Sequence, residues 1–191
     1  ILEKEVMITL DDLFKQKLYL NPQIARAQGY RELTDVLAIS DNGLFLIESK
    51  ALGIIDRVPN KPMEKKVKGL QKQISTGIDQ LVGASKKITA NTTIYDKQLE
   101  EIIFDKIPFP HCIVLVSELF PFGDWKAIEY KMFNVMAENR IYLSVIDLRE
   151  FMQYVGHARG SVDRLNLMLI ERVEAFVKNE NIHMKLNVVK E

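Results

Sequence analysis

The chain has 191 residues, with 26 Lys+Arg balanced by 26 Asp+Glu, and 47% of its residues are hydrophobic. This is the composition of a globular domain, not of a disordered tail or a polybasic coat for nucleic acid. No window approaches about 18 consecutive apolar residues, which excludes a membrane-spanning helix. The single cysteine, Cys112, excludes an internal disulfide and a cysteine-rich zinc site.

Segment 1–20 lacks a basic region followed by a long apolar run, so it does not read as a signal peptide, and a cytoplasmic location is expected. Val6, Leu10, Leu13, Phe14 and Leu18 have helical spacing, which predicts a helix over 3–19. Asn21-Pro22 ends it, and a polar stretch runs to Gly29. Leu33–Ile39 and Leu44–Ile47 are β-compatible runs joined by Ser40-Asp41-Asn42-Gly43, a hairpin signal because Asn and Gly accept positive φ. Pro59 and Pro62 close a loop before a long helix that opens near Met63. Its apolar stripe is Met63, Val67, Leu70, Ile74, Ile78, Leu81 and Ile88. Lys65, Lys66, Lys68 and Lys72 lie mostly off the stripe and read as a solvated face.

Residues 90–110 allow either a hairpin or a helical excursion. Cys112–Val116 reads as a strand with Cys112 as a core thiol, 124–138 as a helix, and Ile141–Ile146 as a strand. Asp147 followed by Glu150 has capping-box spacing and opens a helix at Leu148. Val162–Val177 is an amphipathic helix, and Met184–Val189 alternates like a terminal strand. Met132, Met136 and Met168 fall in helical stripes and are expected in the core. Trp125 is expected to pack across its loop, and His157 and Arg159 to lie on an exposed one. Arg149, in a first helical turn, faces either the site or solvent. The order describes one mixed α/β domain over 1–191: a core motif region at 30–90, a candidate insertion at 90–111, and a C-terminal helix and strand at 160–191.

Three charges do not fit a bland reading. Asp35 interrupts an apolar strand, and Glu48 and Lys50 directly follow Leu44-Phe45-Leu46-Ile47. An unpaired charge in a strand covered on both faces costs several kcal/mol. Glu48 and Lys50 are two residues apart and share a face, and the hairpin brings Asp35 alongside. The group is either a cross-strand salt bridge at a solvated edge or a divalent-cation site in which two hard oxygen ligands sit beside a lysine that handles phosphate or water. Spacing alone does not choose between them. Glu64-Lys65-Lys66 satisfies the bare Glu-x-Lys pattern too, inside an ordinary charged helix.

Asp35, twelve intervening residues and then Glu48-Ser49-Lys50 resembles the PD-(D/E)XK nuclease superfamily. The likeness runs through Asn21-Pro22, Arg31-Glu32-Leu33-Thr34-Asp35 and the helix with Gln71, Gln73 and Gln80. It departs at Thr34, where the family name has proline. The resemblance implies a restriction-endonuclease-like three-layer α/β core, with a central mixed β-sheet flanked by helices. It implies hydrolysis of phosphodiester bonds, in DNA above all, dependent on Mg²⁺ with Mn²⁺ as a substitute. Asp35 and Glu48 would bind the metal with the Ser49 backbone carbonyl, and Lys50 would position the attacking water and offset charge on the phosphate. Glu32, Gln73 and Gln80 are candidate auxiliary residues. An acid from the first helix would come from Glu3, Glu5, Asp11 or Asp12. The implied partner is nucleic acid, not a membrane, and a homodimer would supply two sites for two strands. The alternative function is a catalytically silent nuclease fold that binds nucleic acid or assembles with partners.

Overall fold

A computed structural model describes residues 2–15, 17–50, 62–105 and 108–185, with side chains from Val6 onward. Helix α1 (Leu2–Phe14) is followed by strands β1 (Leu18–Leu20), β2 (Gln23–Ala25), β3 (Tyr30–Glu32), β4 (Val36–Ile39) and β5 (Leu44–Lys50). Helix α2 (Met63–Thr89) leads to β6 (Ile94–Tyr95) and β7 (His111–Val116). Helix α3 (Lys126–Asn139), strand β8 (Tyr142–Asp147) and helices α4 (Leu148–Ala158) and α5 (Val162–Asn179) complete the order. Among the described residues no helix is long and apolar enough to cross a membrane.

The central sheet has the order β1-β4-β5-β7-β8. β1, β4 and β5 pair antiparallel, whereas β5, β7 and β8 run parallel, so the sheet is mixed. Strand parity sorts its side chains into two layers. Val36, Ala38, Phe45, Ile47, Ile113 and Leu115 pack with α1, α4 and α5. Leu37, Ile39, Leu44, Leu46, Cys112 and Val114 pack with α2 and α3. All of β4 and the first four residues of β5 are apolar because helices cover both faces. A smaller antiparallel sheet, β3-β2-β6, joins the α2 layer through Ile24 and Ile94.

The α2 boundaries agree with the expected helix, and its stripe is buried from Val67 to Ile88; Met63 is half exposed because it precedes the sheet contact. The 40–43 turn forms, with Ser40 N donating to Gly43 O at 2.8 Å. None of its residues has positive φ, however. The loop has four residues, which a type I turn serves, and the primed two-residue turn that favours Asn-Gly is not needed.

Several expectations are corrected. The first helix stops at Phe14, and Leu18–Leu20 is an edge strand against β4. The polar stretch before Gly29 contains β2, and β3 follows it; the two pair across a turn in which Gly29 takes φ +78°. The expected strand 33–39 begins at Val36, because Leu33-Thr34-Asp35 carries the chain from the small sheet to the large one. Of the two alternatives for 90–110 the hairpin forms in reduced extent: Ile94 and Tyr95 pair with β2, Tyr95 bridges Glu101 antiparallel and Ile102 N donates to the Ile94 carbonyl at 2.8 Å, but Ile102–Phe104 is not strand. His157 lies in the last turn of α4, its ring bonded to the Gln153 carbonyl, not in an exposed loop. Met184 and Lys185 are not strand, and the rest of the expected terminal strand lies outside the described residues, as does Pro59.

Other expectations match. Trp125 is buried and donates to the Phe122 carbonyl at 3.2 Å. Cys112 and Met132 are buried, Met136 and Met168 partly so, and Arg149 is exposed. Asp147 caps α4 by accepting from Glu150 N at 2.8 Å. The reciprocal half of the capping box is absent, because the Glu150 side chain points into the core. There it accepts from Arg172 Nε at 2.8 Å and from the Tyr154 hydroxyl at 2.6 Å. Arg172 also donates to the Val145 carbonyl at 2.7 Å, so the buried pair ties α4 and α5 to β8.

Candidate functional site

Leu44, Leu46, Glu48 and Lys50 share one side of β5, and Leu44 and Leu46 identify it as the side covered by α2. Asp35 directly precedes β4 and has the parity of Leu37 and Ile39, which lie on that side. Val36 pairs with Ile47, so one further step along the antiparallel register sets Asp35 opposite Glu48. All three sequence-nominated charges therefore converge at the point where β4 begins and β5 ends.

The contacts are specific. Asp35 Oδ2 accepts from Ser49 N at 2.6 Å, which fixes the peptide after Glu48. Glu48 is 2% exposed, and its Oε2 accepts from Lys50 Nζ at 2.8 Å. That ammonium offsets the cost of burying the carboxylate. Lys50 Nζ also donates to Gln80 Oε1 at 2.5 Å, so α2 supplies a second restraint on the lysine. Thr34 has a defined use: its buried hydroxyl donates to the Ile47 carbonyl at 3.0 Å and pins the approach to Asp35 against β5.

Gly77 lets the helix come this close. A Cβ there would stand 3.0 Å from Lys50 Cε and 3.1 Å from Val114 Cγ1. Val114 is the cross-strand neighbour of Glu48, so α2 lies directly over the charged group. Gly77 was not among the sequence-nominated residues; its signal was a glycine on the inner face of a helix that must lie near the Glu-x-Lys strand.

The auxiliary candidates separate. Gln80 joins the group through Lys50, whereas Gln73, two turns earlier on the same flank, has a buried Oε1 without a hydrogen-bond partner among the described residues. Gln71 donates to the Asp124 carbonyl and belongs to the α2–α3 loop contact. Glu32 is exposed on β3 and accepts from Asn21 Nδ2 at 2.5 Å. Asp11 and Asp12 are exposed on α1, which covers the opposite face of the sheet. The side chains of Glu3 and Glu5 lie outside the described residues.

Among the described residues, no group of three or more His, Cys, Asp or Glu side chains gathers to hold a metal ion. What the β4–β5 junction offers is two carboxylates, Asp35 and Glu48. That set suits a hard cation such as Mg²⁺, which keeps several waters and takes one or two protein carboxylates.

No family model matches the chain, and no curated protein sequence matches it. Among solved structures it is similar to the small subunit of a heterodimeric restriction endonuclease. The TM-score is 0.51 at 14% identity, with 90% of this chain and 77% of that one covered. The chain therefore has a restriction-endonuclease-like fold, with a central mixed sheet between helical layers.

Proposed function

We propose that the protein is a metal-dependent nuclease of the PD-(D/E)XK kind that hydrolyses phosphodiester bonds in DNA. One arrangement supports the reading: where β5 ends beneath α2, in a restriction-endonuclease-like fold, Asp35 holds the Ser49 amide and Glu48 holds the Lys50 ammonium. Asp35, Glu48 and the Ser49 carbonyl would hold Mg²⁺, with Mn²⁺ able to replace it. When bound there, the cation would supply Lewis-acid polarisation of a phosphoryl oxygen and a water of lowered pKa. Lys50 orients the attacking water in line and offsets the negative charge that grows on the phosphoryl oxygens. Gln80 gives the ammonium a second restraint beside Glu48.

The test is cleavage of labelled single- and double-stranded DNA with Mg²⁺, Mn²⁺ or EDTA, by the parent and by two variants. Asp35→Asn keeps an oxygen for the Ser49 amide but loses the charge. Lys50→Ala removes the ammonium and also leaves Glu48 buried without it, so its folding is checked by circular dichroism. Metal-dependent cleavage is expected in the parent and a loss of about 10²-fold or more in each folded variant. Unchanged cleavage by Lys50→Ala sinks the assignment. A parent that neither cleaves nor takes up metal in calorimetry, yet binds DNA, is the silent interaction module instead.

A further inference from the structure

A second feature lies along α2 from the charged group. A cavity of about 630 Å³ opens between the β2–β3 hairpin and the end of α2, and its charged lining consists of Arg26, Arg31 and Lys87, with Gln28 beside them. No acidic side chain among the described residues lines it. Among the described residues, none of the three cations is paired with a carboxylate. Lys87 alone would be unremarked, because a cation in the last turn of a helix is favoured by the helix dipole. Arg31 is different. It pairs across the hairpin with Ile24, whose side chain is buried, so it shares that inward face. Its Nε is buried and has no hydrogen-bond acceptor among the described residues. A guanidinium is always charged and presents its donors as a planar fork, so an orphaned Nε–H calls for an anionic oxygen.

Position adds to chemistry. Gln73, Gln80 and Lys87 follow one another at sevenfold spacing and share a flank of α2. Gln80 touches Lys50, and Lys87 lies about 10 Å further along the helix axis. That is roughly three nucleotides at about 3.4 Å of rise per phosphate on one strand. The hairpin is also continuous with the charged group, since β3 leads through Leu33 and Thr34 to Asp35.

We infer that this cavity is a backbone subsite that binds phosphates of the nucleic acid about three nucleotides from the bond held at Lys50, through Arg26, Arg31 and Lys87. The inference rests on the nuclease reading for its choice of polyanion. Its contacts are to phosphate and not to bases, so the subsite adds affinity and direction without sequence preference. It also sets a minimum length: a substrate strand that ends before the cavity loses the subsite.

The experiment measures binding of fluorescent 20-nucleotide single and double strands by anisotropy in EDTA, over a range of salt, so that cleavage plays no part. It compares the parent with Arg26→Gln/Lys87→Gln, in which both positions are exposed and the fold is safe, and with Arg26→Gln/Arg31→Gln/Lys87→Gln. A control, Lys65→Gln/Lys68→Gln, removes the same charge as the double variant from exposed positions of α2 off that flank. The expected result is a log–log salt slope shallower by about two in the double variant and three in the triple one, with affinity down at least tenfold. The control should stay within about twofold of the parent. Binding by the double and triple variants equal to the control overturns the subsite, even if metal-dependent cleavage by the parent upholds the nuclease. No DNA binding by the parent also overturns it. Loss of binding in the double and triple variants of a protein that never cleaves upholds the subsite and removes the nuclease.

Discussion

The close approach of α2 to the charged group makes Gly77→Ala an informative change. An alanine in the middle of an exposed helix is worth about 1 kcal/mol over glycine. Here the new methyl would lie 3.0 Å from Lys50 Cε and 3.1 and 3.3 Å from the two Val114 methyls. Val114 is fully buried in the centre of the sheet and cannot move, so the helix or the lysine must give by a few tenths of an ångström. Overpacking of this kind costs about 1–3 kcal/mol. Set against the helix gain, the net expectation is a loss of about 1 kcal/mol. For a chain of this size that is a fall in Tm of roughly 2–4 °C. The lysine stem yields more easily than the sheet, so Nζ is displaced from Glu48 and Gln80. An error of about 1 Å in a reacting geometry can cost 10²-fold, so a displacement of half that should lower cleavage by about tenfold. Differential scanning fluorimetry and a DNA-cleavage time course read the two arms. A variant that melts 2–4 °C higher than the parent and cleaves equally well would show that α2 does not lie against Lys50 as described, and the reasoning about Gly77 would fall with it.

Two other consequences are open to measurement. Glu150→Gln leaves Arg172 buried without its counter-charge, and breaking such a pair costs about 3–5 kcal/mol. The expected fall in Tm is therefore roughly 10 °C, and replacing both partners by apolar residues, Glu150→Leu/Arg172→Met, should recover much of it; a Glu150→Gln protein as stable as the parent rejects the pair as a stabilising tie. His111 is stacked between the rings of Phe45 and Tyr142, and burial lowers its pKa from 6.5 to about 4 although a hydrogen bond to Asn166 opposes the shift. The unfolded chain thus binds the proton first, so this contribution is complete above pH 6.5 and is lost as pH falls toward 4, by roughly 3 kcal/mol. Melting curves across that range should flatten in His111→Gln, and a parent whose His111 nuclear-resonance titration centres near 6.5 contradicts the burial argument.

The legible parts of this chain were those with a long, one-sided signal. Twenty-seven residues of α2 repeat one apolar stripe, and the period-two logic of β5 sends Glu48 and Lys50 to one face without any knowledge of the fold. β2 and β3 were hidden because three-residue strands carrying Gln23, Arg31 and Glu32 have no alternation to detect; they exist because β6 and the α2 layer accept them. Glu150 was read through its spacing from Asp147, which was right for the cap and silent about the side chain. The clue was elsewhere. Arg172 falls on the buried stripe of α5 with Leu165, Leu169 and Phe176, and a charge at such a position requires a buried partner. Gln73 and Gln80 could not be separated by spacing, since both occupy one flank; the reach of Lys50 distinguishes them.

The parallel half of the sheet has a further consequence. Lys50, Val116 and Asp147 stand level across β5, β7 and β8, so three strands finish flush along one sill. Segments grafted after Val116 would extend that sill outward while every ladder and both hydrophobic layers stayed as they are. A single residue inserted within β5 would do the reverse: it would rotate Glu48 and Lys50 toward the Phe45 layer and drive two charges among aromatic rings. Variation in this architecture is thus cheap at the rim and prohibitive one step inside it.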